Sequence, residues 1–296
     1  MIQDINERFG SKVREINEKL QSVAQKGVAL GLNPSMGSGS SRPKVFSERP
    51  PTSSVVNRSK VFGREEDTSK IIKWLLSDDK TPSSSKNDNN FSVLPIVGMG
   101  GAGKTTLAQL VYNHETVEKH FGLKAWVCVS EDFDVVRLTK EILESATNST
   151  HTSDSLDKLQ VELKKALSNK RFLLVLDDMW NENYLRWDAL STVFASGKQG
   201  SKILVTTRNK SVSSIVHTVP NDHDLKGLSD EVYFAMVKKH AFLDENSSDA
   251  NIMLKSFGQE IVKKCKGSLL AVKTLAGLLR DKRNNSEWKD ILENEI

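Results

Sequence analysis

The 296 residues carry 42 Lys and Arg against 38 Asp and Glu, a formal net charge of +4, with 38% hydrophobic residues. That is a soluble globular composition, long enough for one large domain or two ordinary ones. So even a balance gives no prior for wrapping nucleic acid, and 6% aromatics argue against a base-stacking platform.

The first segment, residues 1–26, reads as a helix. Ile2, Phe9, Ile16 and Val23 recur every seventh residue with Val13 and Leu20 between them, a short apolar seam with Asn6 at one core position. The N-terminus has no apolar stretch of the secretory kind, and nothing approaches the ~18 apolar residues of a membrane span, so the cytoplasm is the default location. Residues 27–57 are rich in Gly, Ser and Pro and read as a flexible linker. A polar stretch at 77–90 reads as a surface loop.

From Phe91 to Leu225, apolar runs alternate with helical patterns. The runs are Ser92–Val97, Lys124–Val129, Phe172–Leu176 and Ile203–Thr206; the helices include Thr105–Asn113, Val135–Ala146 and Ser155–Leu167. Strands apolar on both faces and separated by helices predict a parallel sheet covered on both sides, an α/β three-layer fold. Pro95 is awkward inside the first run, because proline removes one ladder donor. Beyond Leu225 only helical patterns follow: Ser229–Leu243, Ile252–Lys264 and Leu269–Arg280. The expected division is therefore a nucleotide-binding unit over 58–225 and a small helical unit over 226–296.

The first strand runs straight into "GMGGAGKTT", which fits G-x-x-x-x-G-K-[ST] between strand and helix, the context that motif requires. Gly98, Gly100, Gly101, Ala102 and Gly103 can fold into a nest of amides facing phosphate oxygens. The next helix adds its positive end. Lys104 would reach the outer phosphates, Thr105 would ligate Mg²⁺, and Thr106 is placed for the α-phosphate. "RFLLVLDDMW" ends a buried strand on two acids. Asp177 would hold the Mg²⁺ and Asp178 could act as general base on an attacking water. Arg208, closing "GSKILVTTR", could touch a γ-phosphate. The two cysteines, Cys128 and Cys265, sit in apolar patterns, and the six histidines show no metal-ligand spacing. The five tryptophans are read as packing residues.

In order, "VFGREED" (61–67), "GMGGAGKTTLAQLVYN" (98–113), "AWVCVSEDFDV" (125–135), "KRFLLVLDDMW" (170–180), "GSKILVTTRNKSV" (200–212), "LKGLSDE" and "KKHAF" resemble the NB-ARC module of plant disease-resistance proteins. The stretch before it is similar to the end of the coiled-coil domain in the coiled-coil class of those receptors. The resemblance implies a P-loop NTPase fold and an ADP/ATP switch. The ADP form is closed, and exchange for ATP opens it to oligomerise and signal defence. Val61, Phe62, Gly63 and Arg64 match the motif that lies against adenine and ribose. Lys104, Thr105, Asp177, Asp178 and Arg208 match phosphate, magnesium, catalytic and sensor positions. It implies as partners nucleotide, other domains of a receptor and host signalling proteins.

Two departures stand out. The family's Gly-Leu-Pro-Leu-Ala motif is here "GSLLA", with Leu269 in place of the proline that packs near nucleotide, and Val232 and Tyr233 replace a more usual Cys-Trp pair. Ser268 could still cap the helix that follows. The family's winged-helix unit and leucine-rich repeats lie outside these 296 residues. Two other classes use the same loop. A phosphotransferase with real turnover would need a basic lid between Lys104 and Asp177, where the sequence reads as strand and amphipathic helix. An interaction module that no longer cycles nucleotide is the other.

Overall fold

The computed structural model describes residues 51–77, 90–129, 132–242, 248–265, 267–280, 282 and 284–293. The helix read at 1–26, most of the linker and most of the polar loop lie outside the described residues.

The first helix, α1 (Glu65–Leu75), carries Glu65, Glu66 and Asp67 in its first turn and buries Ile71 and Leu75. Strand β1 (Phe91–Val97) leads into α2 (Lys104–Tyr112) and α3 (Glu115–His120). Strand β2 (Leu123–Cys128) is followed by α4 (Val135–Thr147) and α5 (Leu156–Leu167). Asp134 caps α4 by accepting from the amide of Arg137, and Leu138 and Ile142 point inward one turn apart. In α5, Leu159, Leu163 and Leu167 make an apolar stripe at four-residue spacing. Then come β3 (Phe172–Asp177), α6 (Tyr184–Ser191), β4 (Ser201–Thr207), α7 (Lys210–Val216) and the two-residue β5 (His223–Asp224).

The five strands form one sheet in the order β2-β3-β4-β1-β5, with every pair parallel. Side-chain alternation divides the strands between two cores. Leu174, Leu176, Ile203 and Val205 enter one with the inner faces of α4 and α5. Leu173, Val175 and Leu204 enter the other with Ile71 of α1 and Leu107 and Val111 of α2. Lys202 is wholly buried within β4, and its ammonium stands 4.6 Å from the centre of the Trp74 ring.

Pro95 finds its place at the lightly paired edge of β1. Val93 donates to and accepts from Thr218 on that edge, and Val97 accepts from Leu225 there. Pro95 shares their orientation, and β5 pairs only with Ile96 and Val97, so no ladder bond is forfeited.

After Leu225 the described elements beyond β5 are helices: α8 (Asp230–Ala241), α9 (Ser248–Cys265), α10 (Leu269–Leu279) and α11 (Asn285–Glu293). They share a third core, in which Trp288 is fully buried against Phe242 and Phe257.

Gly197 closes the short 3₁₀ turn before β4. A methyl group there would stand 2.4 Å from the Phe172 ring, itself held by Phe194. Gly197→Ala is expected to lower the unfolding free energy by about 1–3 kcal/mol in a denaturant titration. An unchanged midpoint would refute that packing.

Candidate functional site

The C-terminal ends of β1, β3 and β4 converge on one crevice. The loop from Gly98 to Gly103 takes the left-handed conformation at Gly101 (φ 75°) and Gly103 (φ 93°), which only glycine adopts without strain. It delivers the chain into α2 with Lys104 as the first helical residue. Lys104 is 7% exposed, and its ammonium donates to the carbonyls of Gly98 at 2.8 Å and Met99 at 3.0 Å.

Asp177 has no exposed surface. Its Oδ1 accepts from the hydroxyl of Thr206 at 2.5 Å and from that of Thr105 at 3.1 Å. Oδ2 is buried with no hydrogen-bond partner. Burial pushes the carboxyl's pKa up, and the hydroxyls of Thr206, Thr52 and Thr105 oppose that. Because β4 lies between β1 and β3, Thr206 bridges from the middle. Its oxygen also accepts from the amide of Asp178 at 2.9 Å, and its carbonyl accepts from Met179. That clamp holds Asp178 at φ 56°, a left-handed conformation Asp tolerates better than most residues.

Arg208 is exposed at the end of β4, and its guanidinium lies 5.1 Å from the centre of the Trp180 ring. A Cβ at Gly100 would come within 2.9 Å of it. Trp180, read as a packing residue, is thus the platform on which Arg208 rests.

The helical part reaches the same loop. The amides of Leu269 and Leu270, first in α10, donate to the carbonyl of Gly101 at 2.9 and 3.3 Å. Ser268 caps the helix by accepting from Ala271, as its sequence position predicts. Leu269 packs over Gly103, where a Cβ would meet its Cδ1 at 3.0 Å.

Phe62, Gly63 and Arg64 border this face, and Val61 before them caps the Arg58–Lys60 turn by donating to the Arg58 carbonyl. Phe62 sits edge-on to His240 of α8, and Gly63 (φ 64°) leaves room for Val232. Arg64, 4% exposed, donates to the carbonyls of Ala102 and Lys226 and pairs with Asp67, which also meets His223 at 2.9 Å. It therefore braces the glycine loop from behind. Thr106 is half-buried in the first turn of α2.

Mg²⁺ fits the donor set around Asp177. An unpartnered carboxylate oxygen beside hydroxyl oxygens suits a hard cation that retains its waters. Among the described residues no cluster of three or more His, Cys, Asp or Glu side chains could hold a metal. Phosphate oxygens would have to complete the shell.

The model of the NB-ARC domain family matches residues 64–247, which include the glycine loop, Asp177 and Arg208. The chain belongs to the NB-ARC family. A putative disease resistance RPP13-like protein 1 of Arabidopsis thaliana is 40% identical over 98% of the chain and 26% of its own length. A putative disease resistance protein RGA4 of Solanum bulbocastanum is 46% identical over 69% of the chain and 20% of its own. The chain thus spans roughly a quarter or less of these relatives. A chain from a structure of Drosophila ORC bound to DNA superposes with a TM-score of 0.53 at 14% identity, covering 92% of this chain and 73% of that one. At that identity the likeness concerns the fold alone.

In this NB-ARC chain, sequence reasoning passed over Thr206 and β5 and gave Trp180 a packing role only. Thr206 stands in a strand whose neighbours are equally buried, and no spacing rule marks it.

Burial and then the charge of Arg208 lower Lys104 from 10.5 to about 8. Between those values the unfolded chain holds a proton that the folded chain has released, so stability rises with pH there. From pH 7 to pH 10 the wild type should gain on Lys104→Met by up to about 3 kcal/mol in thermal melts. A constant difference would contradict the lowered lysine.

Proposed function

We propose that this chain is the nucleotide-operated switch of a plant disease-resistance protein. ADP bound with Mg²⁺ holds it closed, exchange for ATP opens it, and slow hydrolysis resets it. One juxtaposition supports this reading: the N-termini of α2 and α10 meet at the same glycine loop, beside Lys104 and the buried Asp177. The N-terminus of α2 and an ammonium favour an anion there.

The loop amides and Lys104 bind and orient phosphates. Mg²⁺, when bound, neutralises charge on their oxygens; Thr105 and Asp177 would hold it. Arg208 rests on Trp180 next to Gly100; there it would meet the outermost phosphate and so distinguish ATP from ADP. Asp178 takes a proton from the attacking water. Val61, Phe62 and Gly63 cover the base, while Arg64 fixes the loop at Ala102. Leu269 and Leu270 pass the state of the loop to the helical part. Opening would release that part, as a separate unit, to oligomerise or to meet other receptor domains and host signalling proteins. The setting would be the cytoplasm; no helix among the described residues is long and apolar enough to cross a membrane.

The decisive experiment is to release and identify nucleotide from the purified chain, with ADP as the expected species. Absence of bound nucleotide, and of binding by titration, would defeat the reading. Lys104→Ala should weaken ADP binding at least about 100-fold, near 3 kcal/mol, with the circular dichroism unchanged. Asp178→Asn, which keeps a residue tolerant of left-handed backbone, should bind ADP normally and hydrolyse ATP at least about 100-fold more slowly. Equal hydrolysis would remove Asp178 from the chemistry.

A further inference from the structure

Residues 51–57, the end of the segment that reads as a linker, lie as a strap along α2. The side chain of Gln109 donates to the Ser53 carbonyl at 2.6 Å, and that of Asn113 to the Ser54 carbonyl at 2.6 Å. Arg58 then donates to the Asn113 carbonyl at 2.9 Å, and Asn57 caps the short turn of Arg58–Lys60. Thr105 and Gln109 on α2 and Asn113 at its C-terminal cap recur every fourth residue and so form one stripe. The strap follows that stripe in reverse order: Ser54 at Asn113, Ser53 at Gln109. Thr52 is therefore carried to the Thr105 end, next to the carboxylate that Thr105 touches.

Two orphaned polar atoms meet at that end. Thr52 Oγ1 is buried without a hydrogen-bond partner, and so is Asp177 Oδ2. The Thr52 hydroxyl faces the carboxylate, yet it makes no bond of normal geometry. Buried polar atoms of this kind are paired in native proteins, by protein, water or ion. The two stand beside Thr105, whose hydroxyl donates to the other carboxylate oxygen. The group that would satisfy both is a hydrated hard cation, because Mg²⁺ keeps several waters and binds oxygen only. One such water can donate to Asp177 Oδ2 and to Thr52 Oγ1 at once.

We infer that Thr52 completes the metal side of the site, its hydroxyl accepting a hydrogen bond from a water of the Mg²⁺ held at Thr105 and Asp177. This rests on the nucleotide reading above. Thr52 is a positioning residue: it acts on the cation through water, and its branched Cβ stiffens the rotamer that presents the hydroxyl. The strap thus carries Thr52 to the metal side of the crevice.

The test uses the whole chain and compares Thr52→Val with Thr52→Ser. Valine keeps the shape and loses the oxygen; serine keeps the oxygen and loses the methyl group. ADP affinity is measured by calorimetry in Mg²⁺ and again in EDTA, and the ratio of the two is the magnesium gain. Thr52→Val should cut that gain about tenfold while leaving metal-free affinity within about twofold of wild type, and Thr52→Ser should retain most of it. A wild-type gain in Thr52→Val would overturn the assignment. Equal losses with and without Mg²⁺ in both variants would also overturn it, by making the strap a packing element alone. A wild type that binds no ADP would reject the nucleotide reading itself, and the role of Thr52 with it.

Discussion

The crevice depends on a carboxylate with no exposed surface, Asp177, at the end of a strand whose other residues are all buried. Removing such a group from water costs several kcal/mol unless donors or cations replace the lost hydration. Here hydroxyls arrive from two directions, Thr105 on α2 and Thr206 on β4. The strand order makes this possible. With β4 between β1 and β3, the helix after β1 reaches the β3 terminus across a strand that contributes its own hydroxyl. A sheet with β1 directly beside β3 would leave no place for Thr206, and the turn carrying Asp178 would lose its clamp.

The second constraint follows from the first. A loop that wraps a phosphate with its amides turns carbonyls outward, and the Gly101 carbonyl meets α10. The first amides of any helix lack partners within it. In α10 the first two bond to Gly101 and the third to Ser268, so the phosphate loop acts as part of the helix cap. The contact also needs the glycines bare: a Cβ at Gly101 would stand 2.4 Å from the Ser268 hydroxyl. Loop and helix therefore cannot shift independently, which is the mechanical requirement for a ligand at the loop to be felt by the helical part.

Much of this was legible in the sequence. Four of the strands, the helices flanking the glycine loop, and the residues gathered at the crevice carry local signatures: apolar runs, four-residue spacing, capping residues and glycine pattern. What escaped has no local signature. Strand β5 is two residues long and exists only because Ile96 and Val97 offer an edge. Lys202 breaks an apolar run yet is buried, because Trp74 from a distant helix covers its ammonium. Thr52 lies in a stretch whose Ser and Pro content reads as linker, and its place is set by Gln109 and Asn113 more than fifty residues away. Partnerships at such separation belong to the fold and cannot be read from composition.

Leu269 shows how a departure from family pattern can change sense once its surroundings are known. By sequence it is the loss of a proline ring near nucleotide. In the structure its amide donates to Gly101 at 2.9 Å, a bond proline cannot make, since proline has no N–H. Proline is favoured at a helix's first position because the amide there usually has no partner. Here the amide has one, and it lies on the phosphate loop. The substitution therefore exchanges a rigid ring for a hydrogen bond that ties α10 to the loop, while the leucine side chain covers Gly103. That bond is worth on the order of 1 kcal/mol, and it acts only while the helical part is docked. Its physical effect is to favour the docked arrangement.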